Sequence, residues 1–196
     1  DLLGVVLTHG HEDHIGAVPY LAAELGVPLY ATPFTAGLVR HKLAEHGLTD
    51  RVELRIVENG GKVNLGPFDF TYMPLAHSIA EGNALVIDTP YGRIFHTGDW
   101  KLDDEPLVGV PSTPEALRAV GDRGVLAMVC DSTNVFNENS AGSEAMVRAN
   151  LLEEIAPLTG RVMVTTFASN AARLDALGRV AKAPNRQLCV AGRSLD

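Results

Sequence analysis

The sequence predicts an α/β fold, because segments of strand character alternate with segments of helical periodicity along its 196 residues. Two further observations refine this prediction. A hairpin signal lies in the middle of the chain, and a simpler βα alternation follows a Ser, Asn and Gly-rich stretch at residues 132–143. We therefore expect two units, residues 1–135 with parallel and antiparallel strands, and residues 140–196 with the pattern of a parallel sheet.

The first unit begins with an apolar segment, Leu2 to Thr8, which predicts a buried strand without a polar face. A helix with apolar residues at helical spacing follows it up to Leu25. The turn Thr89-Pro90-Tyr91-Gly92 separates two strand patterns and predicts a hairpin. The other elements expected here are strands at 28–31, 52–58 and 125–129, helices at 33–46 and 113–121, and paired strands within 62–75 and 84–95.

The second unit has the pattern helix, strand, helix, strand. We expect helices at 144–155 and 170–181 and strands at 161–166 and 187–191. Such an alternation is typical of a parallel sheet with crossover helices.

The string THGHEDHIG places four potential metal ligands within six residues, directly after the first strand: His9, His11, Asp13 and His14. His9 and His11 point the same way if the chain stays extended, whereas Asp13 and His14 fall at the turn into the helix. A single tetrahedral ion would be served by three residues and a water. The diverging set therefore indicates two metals, with further ligands downstream.

Two downstream residues also follow strand patterns. His77 comes after the segment 68–75, and Asp99 lies in HTGDW after the segment 93–97. Either residue alone would more often be a hydrogen-bonded structural residue. Together with the first motif, both become candidate ligands.

The order HxHxDH, His, Asp resembles the metallo-β-lactamase superfamily of binuclear hydrolases. The flanking strings THGHEDHIGAVPYL, AHSI, HTGDWKLD, CDSTN, TTFASNAARL and VAGRS resemble the ribonuclease J family of β-CASP nucleases. The resemblance implies a partial αββα sandwich followed by the start of a β-CASP domain. It also implies a fragment that lacks N- and C-terminal parts of the family's chain, including a late His that completes the second metal site.

By the same resemblance, one metal would be held by His9, His11, His77 and Asp99, and the other by Asp13, His14 and Asp99. Asp13 and Asp99 would be catalytic, through activation of a hydroxide that bridges the two ions. Imidazole with carboxylate suits zinc, and manganese is the alternative.

Two residues are expected to support the ligands without binding metal: Asp131 in CDSTN and His96 in the body of its strand. A cap or loop anchor stays open for Asp131, and a core position stays open for His96. Thr166, Ser169 and Asn170 lie between a strand and a helix, where hydroxyls and backbone N–H groups can grip a phosphate. An ordinary helix N-cap explains Ser169 and Asn170 equally well, and both interpretations stay open.

The resemblance implies a ribonuclease that processes and degrades RNA, as an endonuclease and a 5′-to-3′ exonuclease on 5′-monophosphorylated RNA, and a homo-oligomer. The net charge of −8 argues weakly against nucleic-acid binding, but two divalent ions would add positive charge at the site. The alternatives are a thiolesterase-like hydrolase of the same superfamily and an inactive RNA-binding scaffold.

Composition is that of a globular protein, with 46% hydrophobic and 20% charged residues, and no apolar run approaches the ~20 residues needed to cross a bilayer. Cys130 and Cys189 each lie in an apolar run. Two buried thiols would favour a reducing compartment, so we expect a cytoplasmic protein without a membrane partner.

Overall fold

The computed structural model describes residues 1–139 and 142–192. Most of the elements expected from the sequence are present, several of them shorter than predicted. They are β1 (Val5–Val6), α1 (Glu12–Ile15), α2 (Val18–Leu25), β2 (Leu29–Ala31), α3 (Pro33–Glu45), β3 (Leu54–Ile56), β4 (Lys62–Leu65), β5 (Phe68–Pro74), β6 (Asn83–Thr89), β7 (Gly92–His96), α4 (Pro114–Asp122), β8 (Ala127–Val129), α5 (Glu144–Ile155) and α6 (Ala171–Lys182).

The strands form two sheets. The first is parallel in the order β1-β2-β3, and the second has the order β4-β5-β6-β7-β8. Strands β4 to β7 are antiparallel neighbours, whereas β8 pairs with β7 in parallel. The predicted hairpin is confirmed, since Thr89 pairs with Gly92 and its hydroxyl donates to the Gly92 carbonyl at 2.8 Å.

The two sheets pack face to face and carry helices on their outer faces. Side chains of both sheets form one core, in which the Tyr72 hydroxyl donates to the Tyr30 carbonyl at 3.0 Å. Helices α1 to α3 cover the parallel sheet through a second core that includes Ile15 and Val39. Leu117 of α4 packs against a third core on the other sheet. The layers are helix, sheet, sheet and helix, which confirms the predicted αββα arrangement.

The helices begin where local chemistry favours it. Proline occupies the first turn of α2, α3 and α4, where its missing N–H costs nothing. Ser143 and Asn170 cap α5 and α6, because each side-chain oxygen accepts a hydrogen bond from a backbone N–H three residues later. The bounds predicted for α5 are confirmed, and α6 begins and ends within a residue of its prediction.

The strands predicted at 161–166 and 187–191 are wrong, because both segments lie outside regular structure. Within the described part of the chain neither pairs with a neighbouring strand, and an unpaired strand has no partner for its backbone N–H and C=O groups. Helices α5 and α6 instead pack against each other. The division at 132–143 stays a prediction, since residues 140 and 141 there, like the end of the VAGRS string, lie outside the described residues.

Two burial predictions are also wrong. Cys130 and Cys189 are exposed, because the runs that contain them are not covered by another layer within the described residues. The expectation of a reducing compartment loses that support and stays a prediction. The first strand is not fully buried either, since β1 lies at the edge of its sheet and Leu2 and Leu3 are exposed. None of the described helices is long and apolar enough to span a bilayer.

Candidate metal centre

The histidine-rich loop leaves β1 and runs directly into α1. His9 is fully buried, whereas Asp13 is 75% exposed in its side chain, so the loop passes from the core to the surface within a few residues. Gly10 lies against α3, where an added Cβ would come within 2.6 Å of Leu38 Cδ1. A larger residue here would have to displace the end of the Leu38 side chain, so glycine allows the backbone between His9 and His11 to lie close to α3.

Three imidazoles converge at the centre of the cluster. His11 Nδ1 lies 3.1 Å from His9 Nε2 and 2.9 Å from His77 Nε2. The Thr8 hydroxyl lies 3.1 Å from His9 Nδ1, and the Ser78 hydroxyl lies 3.4 Å from His11 Nε2. Each outer contact orients a ring so that its other nitrogen faces the centre of the cluster.

Asp99 joins this cluster to a second one. One ligand atom from each of His9, His11, His77 and Asp99 lies within 4.8 Å of the others, and the same limit holds for Asp13, His14 and Asp99. His14 Nε2 lies 3.3 Å from Asp99 Oδ1 and 3.6 Å from Asp13 Oδ2. The structure brings together all six side chains that the sequence singled out.

The turn before Asp99 depends on Gly98 and His96. Gly98 has a φ of +58°, and an added Cβ would lie 2.7 Å from the Asn83 carbonyl oxygen. Its N–H donates to His96 Nδ1 at 3.0 Å. His96 therefore stabilises the turn that presents Asp99, which agrees with the expected role of supporting a metal ligand.

Burial keeps the central imidazoles neutral. Loss of hydration, followed by repulsion from the other histidines, lowers the pKa of His9 to about 2. Burial, with the charge of His11 next, lowers the pKa of His77 to about 4. Burial also lowers the pKa of His11, although the Ser169 backbone and Asp13 act in the opposite direction. Neutral imidazoles offer free lone pairs, which metal ligation requires.

These donors fit a divalent metal. Six side chains with nitrogen or oxygen donors of the types that bind zinc lie in two groups that share Asp99, and the nitrogens of His9 and His77 lie close to His11 Nδ1. Like lone pairs at such distances repel unless a proton or a cation lies between them.

A cleft of about 250 Å³ opens beside the cluster. The last residues before α6 contribute to its lining. Its lining includes His11, Asp13, His77 and Asp99 of the cluster together with Phe167, Ser169 and Asn170. The Asn170 side chain is occupied as the cap of α6, since its Oδ1 accepts from the Arg173 N–H at 2.9 Å. Thr166 is not part of the lining, so the structure places two of the three candidate phosphate residues at the cleft.

Asp131 follows β8 and lies near His77. Hydrogen bonds from Thr133 lower its pKa, and backbone donation from Trp100 and attraction to His77 act in the same direction. Its Oδ1 accepts from the Thr133 hydroxyl at 2.7 Å. The carboxylate is close enough to His77 for the two groups to influence each other's pKa, which agrees with a supporting position.

Several residues at the site were not predicted from the sequence. Thr8 and Ser78 contact histidines, and both stand beside a motif histidine in the sequence, which is the signal that could have found them. Glu81 Oε2 accepts from the Phe34 N–H at 2.8 Å and so caps the start of α3. Phe167 is 82% exposed and lines the cleft, but nothing in the sequence distinguishes it from a core phenylalanine.

The fold and cluster define a class of protein. The profile of the beta-lactamase superfamily domain matches residues 1–112, and the chain belongs to this superfamily. Among curated relatives, it is 42% identical over 195 residues to "Ribonuclease J" of Sinorhizobium meliloti, an alignment that covers 100% of this chain and 35% of that protein. It is 41% identical over 192 residues to "Ribonuclease J" of Corynebacterium glutamicum, covering 97% of this chain and 26% of the relative.

The chain thus spans about a third of the length of the curated relatives it matches. A solved structure from Enterococcus faecalis V583, described as a protein of unknown function, has the same fold. It aligns with a TM-score of 0.64 at 18% identity, covering 91% of this chain and 44% of that one.

Proposed function

We propose that this chain forms part of a metal-dependent ribonuclease that hydrolyses RNA phosphodiester bonds and cuts both internally and from the 5′ end. The observation that carries the proposal is the convergence of two ligand groups that share Asp99 in one cleft with Ser169. The likeness to proteins named ribonuclease J over the whole chain supports RNA as the substrate, because it includes α5 and α6 as well as the superfamily domain.

The residues would hold two ions, in the sets His9, His11, His77, Asp99 and Asp13, His14, Asp99. The imidazole-rich first set suits zinc, and the carboxylates of the second also suit manganese. Bound divalent ions would supply positive charge for the phosphate oxygens and acidify water between them.

The chain's own groups would orient the reaction. Asp99 lies between the two groups and presents oxygen to both. The exposed Asp13 carboxylate lies on the cleft side, where it can accept a hydrogen bond from the attacking water. Ser169 lines the same cleft and can donate its hydroxyl to a phosphate oxygen.

Phe167 adds an apolar ring to the lining of the same cleft. Bases of single-stranded RNA stack on exposed aromatic rings without regard to sequence. An 82% exposed phenylalanine in the cleft that also contains Ser169 therefore supports a nucleotide substrate over a thioester. The homo-oligomer and the cytoplasmic location stay predictions.

The experiment is incubation of the full-length protein with 5′-monophosphorylated RNA and zinc or manganese, beside Asp13→Ala. We expect cleavage by the wild type and none by the variant. Because Asp13 is exposed, the variant should unfold at the same denaturant concentration as the wild type. Cleavage by Asp13→Ala at the wild-type rate, or hydrolysis of thioesters but not RNA, would contradict the proposal.

A further inference from the structure

A buried ion network lies next to the metal centre and involves none of its ligands. The Asp103 side chain is 1% exposed, and its Oδ2 accepts from the Glu144 N–H at 3.0 Å. Its Oδ1 accepts from the Glu105 N–H at 2.9 Å. Lys101 Nζ lies 3.2 Å from Asp103 Oδ2 and 3.7 Å from Glu144 Oε1. These contacts fasten the start of α5 to the chain just after Asp99.

Arg173 extends the network to α6. Its guanidinium nitrogens lie 3.4 to 3.5 Å from both carboxylate oxygens of Glu144. The Glu144 side chain is 9% exposed. It contacts both Lys101 and Arg173. Two carboxylates and two cations balance each other in this network, which offsets part of the cost of their burial.

Both ends of the network lead to the cleft. Lys101 comes two residues after Asp99, and its backbone N–H donates to the Ala76 carbonyl at 2.9 Å, next to His77. At the other end, the Ala172 N–H donates to the Ser78 carbonyl at 3.3 Å. The network therefore joins the segments that carry the ligands to the start of α6, just after Ser169.

We propose that Glu144 is a positioning residue that holds the start of α6, and with it Phe167 and Ser169, at a fixed distance from the metal centre. The inference rests on the proposed function, which supplies RNA as the substrate. In it, Glu144 determines how the start of α6 is placed beside the RNA cleft. A structural ion pair would stabilise the fold as a whole. A positioning role predicts an effect confined to the start of α6 and to substrate binding.

The test is Glu144→Gln in the full-length protein, with Glu115→Gln as the matched control. Glu115 also lies in the first turn of a helix and pairs with an arginine, but that pair is exposed. Hydrogen exchange followed by mass spectrometry should show faster exchange in residues 167–174 of Glu144→Gln and unchanged exchange in residues 9–16. The control should match the wild type in both segments.

Kinetics on 5′-monophosphorylated RNA give the second measurement. A misplacement of about 1 Å in a binding wall can cost up to ~100-fold, so we expect KM to rise about 10- to 100-fold in Glu144→Gln. The kcat and the zinc affinity should stay at wild-type values, since no ligand is touched. Arg173→Lys keeps the charge but loses the planar fork, and we expect an intermediate rise in KM. It also serves as the test if Glu144→Gln does not fold.

The outcomes separate this inference from the proposed function. If the wild type does not act on RNA, the proposed function fails, and hydrogen exchange still tests the network. If exchange in 167–174 is unchanged, or is faster equally along the whole chain, Glu144 has no positioning role. A fall in kcat with KM unchanged would also overturn it.

Discussion

Acid should destabilise the metal-free protein, because His9 and His77 are folded into the core as neutral rings. The folded-state pKa is about 2 for His9 and about 4 for His77, whereas an unfolded chain has the ordinary histidine value of 6.5. Below pH ~6.5 the unfolded chain binds protons that the folded chain does not. The free energy of unfolding therefore falls as the pH falls through this value.

The magnitude follows from the two shifts. Each histidine removes about 1.4 kcal/mol per pH unit between the unfolded and folded pKa values. At about pH 5 the loss is roughly 2 kcal/mol for each ring, and the lowered pKa of His11 adds to it in the same direction. A total loss of about 4 kcal/mol is a large part of the stability of a typical domain.

The assay measures the free energy of unfolding by urea denaturation, monitored by circular dichroism, in the presence of a chelator at about pH 7.5 and about pH 5. His9→Gln should flatten the dependence on pH by about 1.4 kcal/mol per unit. His41→Gln is the matched control, because that side chain is 77% exposed, and it should behave as the wild type. Equal stability of the wild type at both pH values, or an unchanged slope in His9→Gln, would refute the reasoning.

Four further changes have distinct expected outcomes. Asp99→Asn should weaken both metal sites together, so that metal analysis after dialysis finds less than one ion per chain instead of two; loss of one ion alone would contradict its shared position. Ser169→Ala should reduce the preference for 5′-monophosphorylated over 5′-hydroxyl RNA, and an unchanged preference would leave this residue only a helix-cap neighbour. Phe167→Ala should weaken RNA binding by about 1 to 3 kcal/mol in fluorescence anisotropy, Phe167→Tyr should not, and an equal effect of the two would argue against stacking. Gly98→Ala should destabilise the fold by about 1 to 3 kcal/mol in denaturant, whereas Gly178→Ala, which meets nothing within 4 Å in α6, should be neutral or stabilising.

The parts of the fold that local chemistry decides were predictable from the sequence. The bounds of α5 follow from the cap at Ser143, and the hairpin follows from its turn residues. The cluster was predictable as well, because each candidate ligand stands where a strand pattern ends. The first motif follows β1 in one sheet, and His77 and Asp99 follow β5 and β7 in the other. The ends of these strands meet at one end of the two packed sheets, where loops carry functional residues, so three separate motifs lie at one site.

The parts that depend on distant partners were not predictable. Residues 161–166 have strand composition, but a strand forms only beside another, and the described residues provide none there. The contact of Glu144 with Lys101 and Arg173 joins residues up to 72 positions apart in the sequence, and charged residues show no periodic pattern that would predict such pairs. The prediction that Cys130 is buried was wrong for the same reason, because an apolar run does not show which part of the chain covers it.

The order of the ligands along the chain has a consequence for biosynthesis. All six candidate ligands lie within residues 9–99. The residues Phe167, Ser169 and Asn170, which line the same cleft, come much later in the sequence. A ribosome makes the N-terminal part first, and that part can begin to fold while the remainder is still being translated. Under the proposed function, metal would bind the nascent polypeptide before there is a groove to receive a nucleic acid, which would separate cofactor loading from the acquisition of activity.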